Sequence, residues 1–203
     1  MENEYTPVYT HQSLGTGRVL VGLVFSLLGF FFFFGSFVIP QWNSFEWEDF
    51  VPNGLGPIQI ARIGLWQNCK MYGDYDCVWN TGIPGIVAPQ VSHCLAFILF
   101  VAYWVCVVRW WRQNKIPIRL LESAVCAFAI GICLMSSFLA WVTLLGTTFQ
   151  RHLSTGFIFT IFSFVLMELT FVILFMESKE EARKRKPPAE EDAEESNCMG
   201  NES

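Results

Sequence analysis

Cys69 and Cys77 stand eight residues apart in a polar stretch, and the chemistry open to such a pair is a disulfide closing a short hairpin. A bridge of this kind persists only in an oxidising compartment, so its loop is expected to face the cell exterior or an organelle lumen. Closing a loop of this length is worth about 2 to 3 kcal/mol on a chain-entropy model. Glu168 is a carboxylate deep inside an apolar segment. Ionised, it would be costly there, so it is expected to be protonated or hydrogen-bonded to Ser or Thr on facing helices. A neutral packing role is the first reading, with helix association or ion coupling second. Cys94, Cys126 and Cys133 read as small apolar residues. Cys106, beside Arg109, is a candidate palmitoylation position. His11, His93 and His152 show no partner spacing, and no nucleophile with a base, metal cluster or phosphate loop can be assembled. An enzyme is therefore not expected, and neither cofactor, metal nor small-molecule substrate is assigned.

The elements that carry these residues are set by apolar runs. The chain has 203 residues, 53% of them hydrophobic and 15% charged, a balance that fits a membrane protein. Residues 19–40 contain no charge, and at about 1.5 Å per residue they can cross a hydrocarbon core roughly 30 Å thick. Residues 86–108, 120–145 and 157–176 are apolar and long enough by the same logic, with Glu122 and Glu168 as the carboxylates they contain, giving four spans and both termini on one side. The first span is too long for a signal-peptide core and no small-residue cleavage site ends it, so targeting is expected to rest on that helix.

Positive charge orients the spans, because basic flanks are retained in the cytoplasm. Ten of the thirteen Lys and Arg lie on one side: Arg18, then Arg109, Arg112, Lys115 and Arg119, then Lys179 and residues 183–186. The other side holds Arg62, Lys70 and Arg151, with Glu46, Glu48, Asp49, Asp74 and Asp76. Both termini are thus expected in the cytoplasm. The net charge of −5 averages a basic inner rim with acidic parts elsewhere, and nothing supports nucleic-acid binding.

This divides the chain into an arm of residues 1–18, a four-span domain of 19–176 and a tail of 177–203 expected to be disordered. Outer loop one covers 41–85 and outer loop two about ten residues. In loop one, 63–68 and 77–79 read as strands with a turn at 72–74. Gly15, Gly22, Gly29 and Ser36 recur every seven residues in span one, while Ser123, Ala127 and Gly131 form a small-residue row in span three. Both are helix-packing faces. Phe30 to Phe34 wrap around span one as apolar filler, and Trp42, Trp47, Trp79, Trp104, Trp110 and Trp111 are expected as interfacial anchors. The cluster from Lys179 to Lys186 reads first as a stop-transfer flank and second as a site of attraction for anionic lipid.

Trp42 just past span one, then Gly64-Leu65-Trp66, then Cys69 and Cys77, resembles the signature of the claudin and peripheral myelin protein superfamily, which includes epithelial membrane proteins and calcium-channel gamma subunits. The resemblance covers about residues 18–178. It implies a left-handed four-helix transmembrane bundle capped by a small extracellular antiparallel β-sheet. Leu65 and Trp66 would anchor the sheet near the outer leaflet, and Cys69 and Cys77 would be the family's disulfide. The short second loop and a C-terminus without a final apolar residue for a PDZ groove depart from barrier-forming claudins. The expected function is that of a claudin-like plasma-membrane protein of cell-cell contacts. It would act in adhesion or junction organisation, surrounded by membrane lipids and assembling with itself or other membrane proteins in cis or trans. The alternative is an auxiliary subunit regulating the gating or trafficking of a channel or receptor. Were the outer loop to line a paracellular path, its carboxylates would favour cations.

Overall fold

The computed structural model describes residues 16–39, 42–51, 54–72, 74–80, 85–112, 117–149 and 154–185. The expectations for residues 1–15 of the N-terminal arm, the acidic end of the tail, His11 and His152 lie outside these residues, while the last three residues of the arm, 16–18, open the first helix. Four apolar helices dominate: α1 (Thr16–Val38), α2 (Val87–Arg112), α3 (Pro117–Phe149) and α4 (Thr155–Arg185). Each is long and apolar enough to cross a membrane. The apolar runs predict their number and order. Most of their ends run further than the hydrocarbon-spanning segments, because a helix continues wherever its backbone bonds can, charged residues included; the end of α1 at Val38 and the start of α2 at Val87 fall just inside them. Thus α3 extends through Phe149 into what reads as outer loop two, and α4 continues past Met176 to Arg185, making 177–185 helical. Pro117 opens α3, where its missing N–H costs nothing.

Helix α1 packs closely on α4, α4 on α3, and α3 on α2. The small residues of α1 create the first of these seams. Gly22 lies against Leu174, and Gly29 lies against Met167. The Ser163 hydroxyl donates to the Gly29 carbonyl at 2.9 Å, and Thr170 donates to the Gly22 carbonyl at 3.3 Å. The seven-residue period of the glycines is matched by the seven residues between the two hydroxyls, as an antiparallel helix pair requires. Between α1 and α2 the backbones stay apart and rings fill the space: Phe30 and Phe33 meet Phe100 at 5.4 and 5.0 Å between centroids. The phenylalanine run divides as 100° per residue demands, with Phe33 fully buried while Phe31 and Phe34 are exposed.

Four strands follow α1: β1 (Asn43–Val51), β2 (Gly54–Ile63), β3 (Gln67–Tyr72) and β4 (Asp74–Trp79). They pair antiparallel in the order β1-β2-β3-β4. The β1–β2 register shifts between Glu48 and Phe50, beside Gly56 and Pro57 on the partner strand, where proline has no N–H to offer the ladder. The expected strand over 63–68 is interrupted. Gly64, Leu65 and Trp66 form the break between β2 and β3, with the Gly64 N–H donating to the Gln67 carbonyl at 2.8 Å. Cys69 and Cys77 face each other across β3 and β4 with Cα atoms 4.1 Å apart and are joined as a disulfide.

Candidate functional site: the junction of sheet and bundle

The signature residues converge where the loop meets the helices. Trp42 is fully buried between α1 and the start of β1, and its indole N–H donates to the Ser36 carbonyl at 2.8 Å. The ring stands edge-on to Trp141 of α3 and to His93 of α2, each 4.9 Å away between centroids. Its backbone is tied on both sides, donating to the Ile63 carbonyl at 2.9 Å and accepting from the Ser154 N–H at 3.1 Å. Ser154 immediately precedes α4, so a single residue joins α1, the sheet and the start of α4.

Leu65 is the second plug. It is fully buried in an apolar cluster with Trp42, Ile86, Trp141 and Phe157. Its carbonyl accepts a 2.9 Å hydrogen bond from the Gln90 side chain, which fixes the loop to α2. Gly64 places its carbonyl 2.7 Å from the donating Asn80 side-chain nitrogen, while the Asn80 backbone N–H donates to the Trp66 carbonyl at 2.8 Å. Asn80 therefore locks the break between β2 and β3 to the end of β4. Trp66 is half-buried against Phe37 at 5.2 Å, and its indole N–H has no partner among the described residues. The disulfide lies two strand positions beyond the junction and holds β3 and β4 in the register that aligns Gln67 with Trp79.

Beneath Trp42 sits a residue whose role the sequence hides. His93 is fully buried, with Nδ1 2.8 Å from the Ser137 hydroxyl of α3 and 3.2 Å from the Pro89 carbonyl, and Nε2 3.5 Å from Ser36 of α1. One imidazole thus cross-links three helices under the aromatic cluster. Its partners lie 57 and 44 residues away, so no local spacing reveals it. Gln90, Asn80 and Trp141 are likewise visible only in the fold.

The other singled-out residues are dispersed. Glu168 is half-buried on α4 and occupies the space that a side chain at Gly131 of α3 would need. No hydroxyl among the described residues bonds it, so the anticipated Ser or Thr partner is replaced by room beside a glycine. The row Ser123, Ala127 and Gly131 is buried as a packing face. Cys106 is half-buried in α2 and turned toward Cys126 of α3. Of the tryptophans read as interfacial anchors, Trp42 and Trp110 are buried at 0% and 2% exposure, whereas Trp79 and Trp111 are exposed. The Trp47 side chain and those of the loop carboxylates lie outside the described residues.

At the opposite end of the bundle, Arg18 of α1 bridges to Glu180 of α4 at 2.8 Å, with Glu177 at 3.9 Å. Lys184 pairs with Glu180 at 2.9 Å, and Arg119 pairs with Glu122 at 2.8 Å. No group of His, Cys, Asp and Glu able to hold a metal occurs among the described residues. No family model and no curated protein matches this chain. The polar groups of the junction tie backbones together, and its buried volume is aromatic and aliphatic.

Proposed function

We propose that this chain is a claudin-like protein of cell-cell contacts, built as a left-handed four-helix bundle that holds a small extracellular sheet rigid against its outer end. The observation that carries the reading is the convergence of Trp42, Gly64, Leu65 and Trp66 on one buried junction, next to a Cys69–Cys77 disulfide. A free loop of this size would lose binding energy to ordering on every encounter, whereas a stapled and plugged sheet is already ordered. The basic end of the bundle supports a cytoplasmic assignment for the termini, and the disulfide supports an oxidising side for the sheet. In this reading the sheet contacts molecules on the neighbouring cell, while the helices assemble laterally within the plasma membrane.

The test is expression of the tagged full chain in non-adherent cells. Enrichment at cell borders and calcium-independent aggregation are expected. A Trp66→Ala variant that reaches the surface should reduce aggregation several-fold by loosening the sheet. Uniform surface distribution without aggregation would sink the adhesion reading. A second reading, an auxiliary subunit of a channel or receptor, is favoured by Glu168. This partly exposed carboxyl lies midway along α4 in a groove with Ser136 of α3, where it could hydrogen-bond a partner's transmembrane helix. Stoichiometric co-purification with one channel, lost in Glu168→Leu, would select it.

A further inference from the structure

We propose that the α1/α2 seam is a binding site for one acyl chain of an anionic glycerophospholipid, with its headgroup held by Arg109 and Arg112. The seam is the one neighbouring helix pair of the bundle whose backbones do not pack closely, and rings rather than small residues bridge it. Beside the gap, one face of α2 opens outward as a groove of about 550 Å³, with Phe30 as its wall on α1, that runs from Phe97 along Phe100, Trp104 and Val108 to the two arginines. Its wall is apolar along the helix and cationic only at its end, which is the polarity of a lipid and not of a peptide segment or a soluble anion.

Length agrees with polarity. From Phe97 to Val108 is 11 residues, or about 16 Å of helix at 1.5 Å each, close to half of a hydrocarbon core roughly 30 Å thick. The groove therefore spans one leaflet, and Arg109 and Arg112 stand at that leaflet's headgroup level. Both arginines are exposed, and no described carboxylate pairs with either. Arg119 and Lys184 at the same end are already matched to Glu122 and Glu180. A phosphodiester with an added carboxylate or phosphate would complete the two unmatched guanidiniums, for which Arg geometry is suited.

The experiment is native mass spectrometry of the full chain released from nanodiscs containing equal phosphatidylserine and phosphatidylcholine. Wild type should retain phosphatidylserine roughly 30-fold over phosphatidylcholine, equivalent to about 2 kcal/mol at about 1 kcal/mol per basic residue. R109Q/R112Q should bring the ratio near unity while still retaining a lipid. Val101→Trp, which fills the groove without touching the arginines, should reduce retention of both lipids. R183Q/K184Q, which neutralises basic residues on α4, should leave the preference intact. Equal retention of the two lipids by wild type would overturn the proposal, as would a preference that survives R109Q/R112Q. Loss of the preference in R183Q/K184Q to the same extent would assign it to the basic rim as a whole and overturn the groove.

Discussion

Glu168 and Gly131 make a coupled pair whose energetics follow from space and solvation together. The carboxyl fills the volume a methyl at position 131 would take, so Gly131→Ala must push it toward hydrocarbon. We expect Gly131→Ala to cost about 1 kcal/mol in the wild-type background, despite the helix propensity that alanine brings. In a Glu168→Ala background the same change should be neutral or stabilising by a few tenths of a kcal/mol or more, giving a coupling of about 1 to 2 kcal/mol. Unfolding in mixed micelles titrated with anionic detergent measures both legs, and equal costs in the two backgrounds would show that the pair does not interact. The anomaly of Glu168 was legible in the sequence, because a carboxylate within an apolar run stands out. Its accommodation was not, since Gly131 reads equally well as part of a helix-packing row. His93 shows the converse. It reads as an isolated histidine, yet its hydrogen bonds to Ser36 and Ser137 join helices that only the fold brings together.

Among the elements, the α1/α4 pair shows how a repeat in one helix predicts chemistry in another. Glycines at 22 and 29 expose carbonyls that Thr170 and Ser163 can reach, and the matched spacing makes the seam a register device. Gly29→Leu should wedge Met167 away and lower stability by about 1 to 3 kcal/mol, whereas Gly17→Leu, with nothing within 4 Å of its position, should be neutral. Ser163→Ala should cost only about 0.6 kcal/mol, the mean for an interhelical hydrogen bond in a membrane. The same micelle titration ranks the three, and a Gly17 variant as damaging as the Gly29 variant would refute the seam. The heptad of small residues was readable from spacing alone, but its partner helix was not, because hydroxyls in α4 are also satisfied by their own backbone. Helix existence was likewise readable and helix ends were not: hydropathy marks where hydrocarbon must be crossed, and backbone hydrogen bonding carries α3 and α4 beyond it. In the loop, the residue types at 63–68 suit a strand. The break at Gly64 arises because Leu65 and Trp66 gain more by burying themselves against the bundle than by continuing the ladder.

At the scale of the whole molecule, charge asymmetry and redox chemistry are independent constraints on a single orientation. In the sequence, ten of thirteen basic residues fall before the first span, between the second and third, or after the fourth, and the disulfide falls between the first and second. Insertion with the sheet outward is expected to leave Cys69 and Cys77 fully oxidised in cells, and a tag after Ser203 accessible to antibody only after permeabilisation. Because the bias counts Lys and Arg near the span ends, neutralising Arg109, Arg112, Lys115 and Arg119 together removes four of the ten and leaves Arg18 opposed to Arg62 and Lys70 around the first two spans. That variant should distribute between two topologies, with the inverted fraction carrying free thiols at positions 69 and 77 because the cytosol keeps them reduced. Alkylation of intact cells followed by mass spectrometry reads thiol state and sidedness in one sample. Inverted molecules with an intact bridge would break the link between orientation and oxidation. Wild-type molecules with free thiols at both positions would reverse the assignment of the sheet to the exterior.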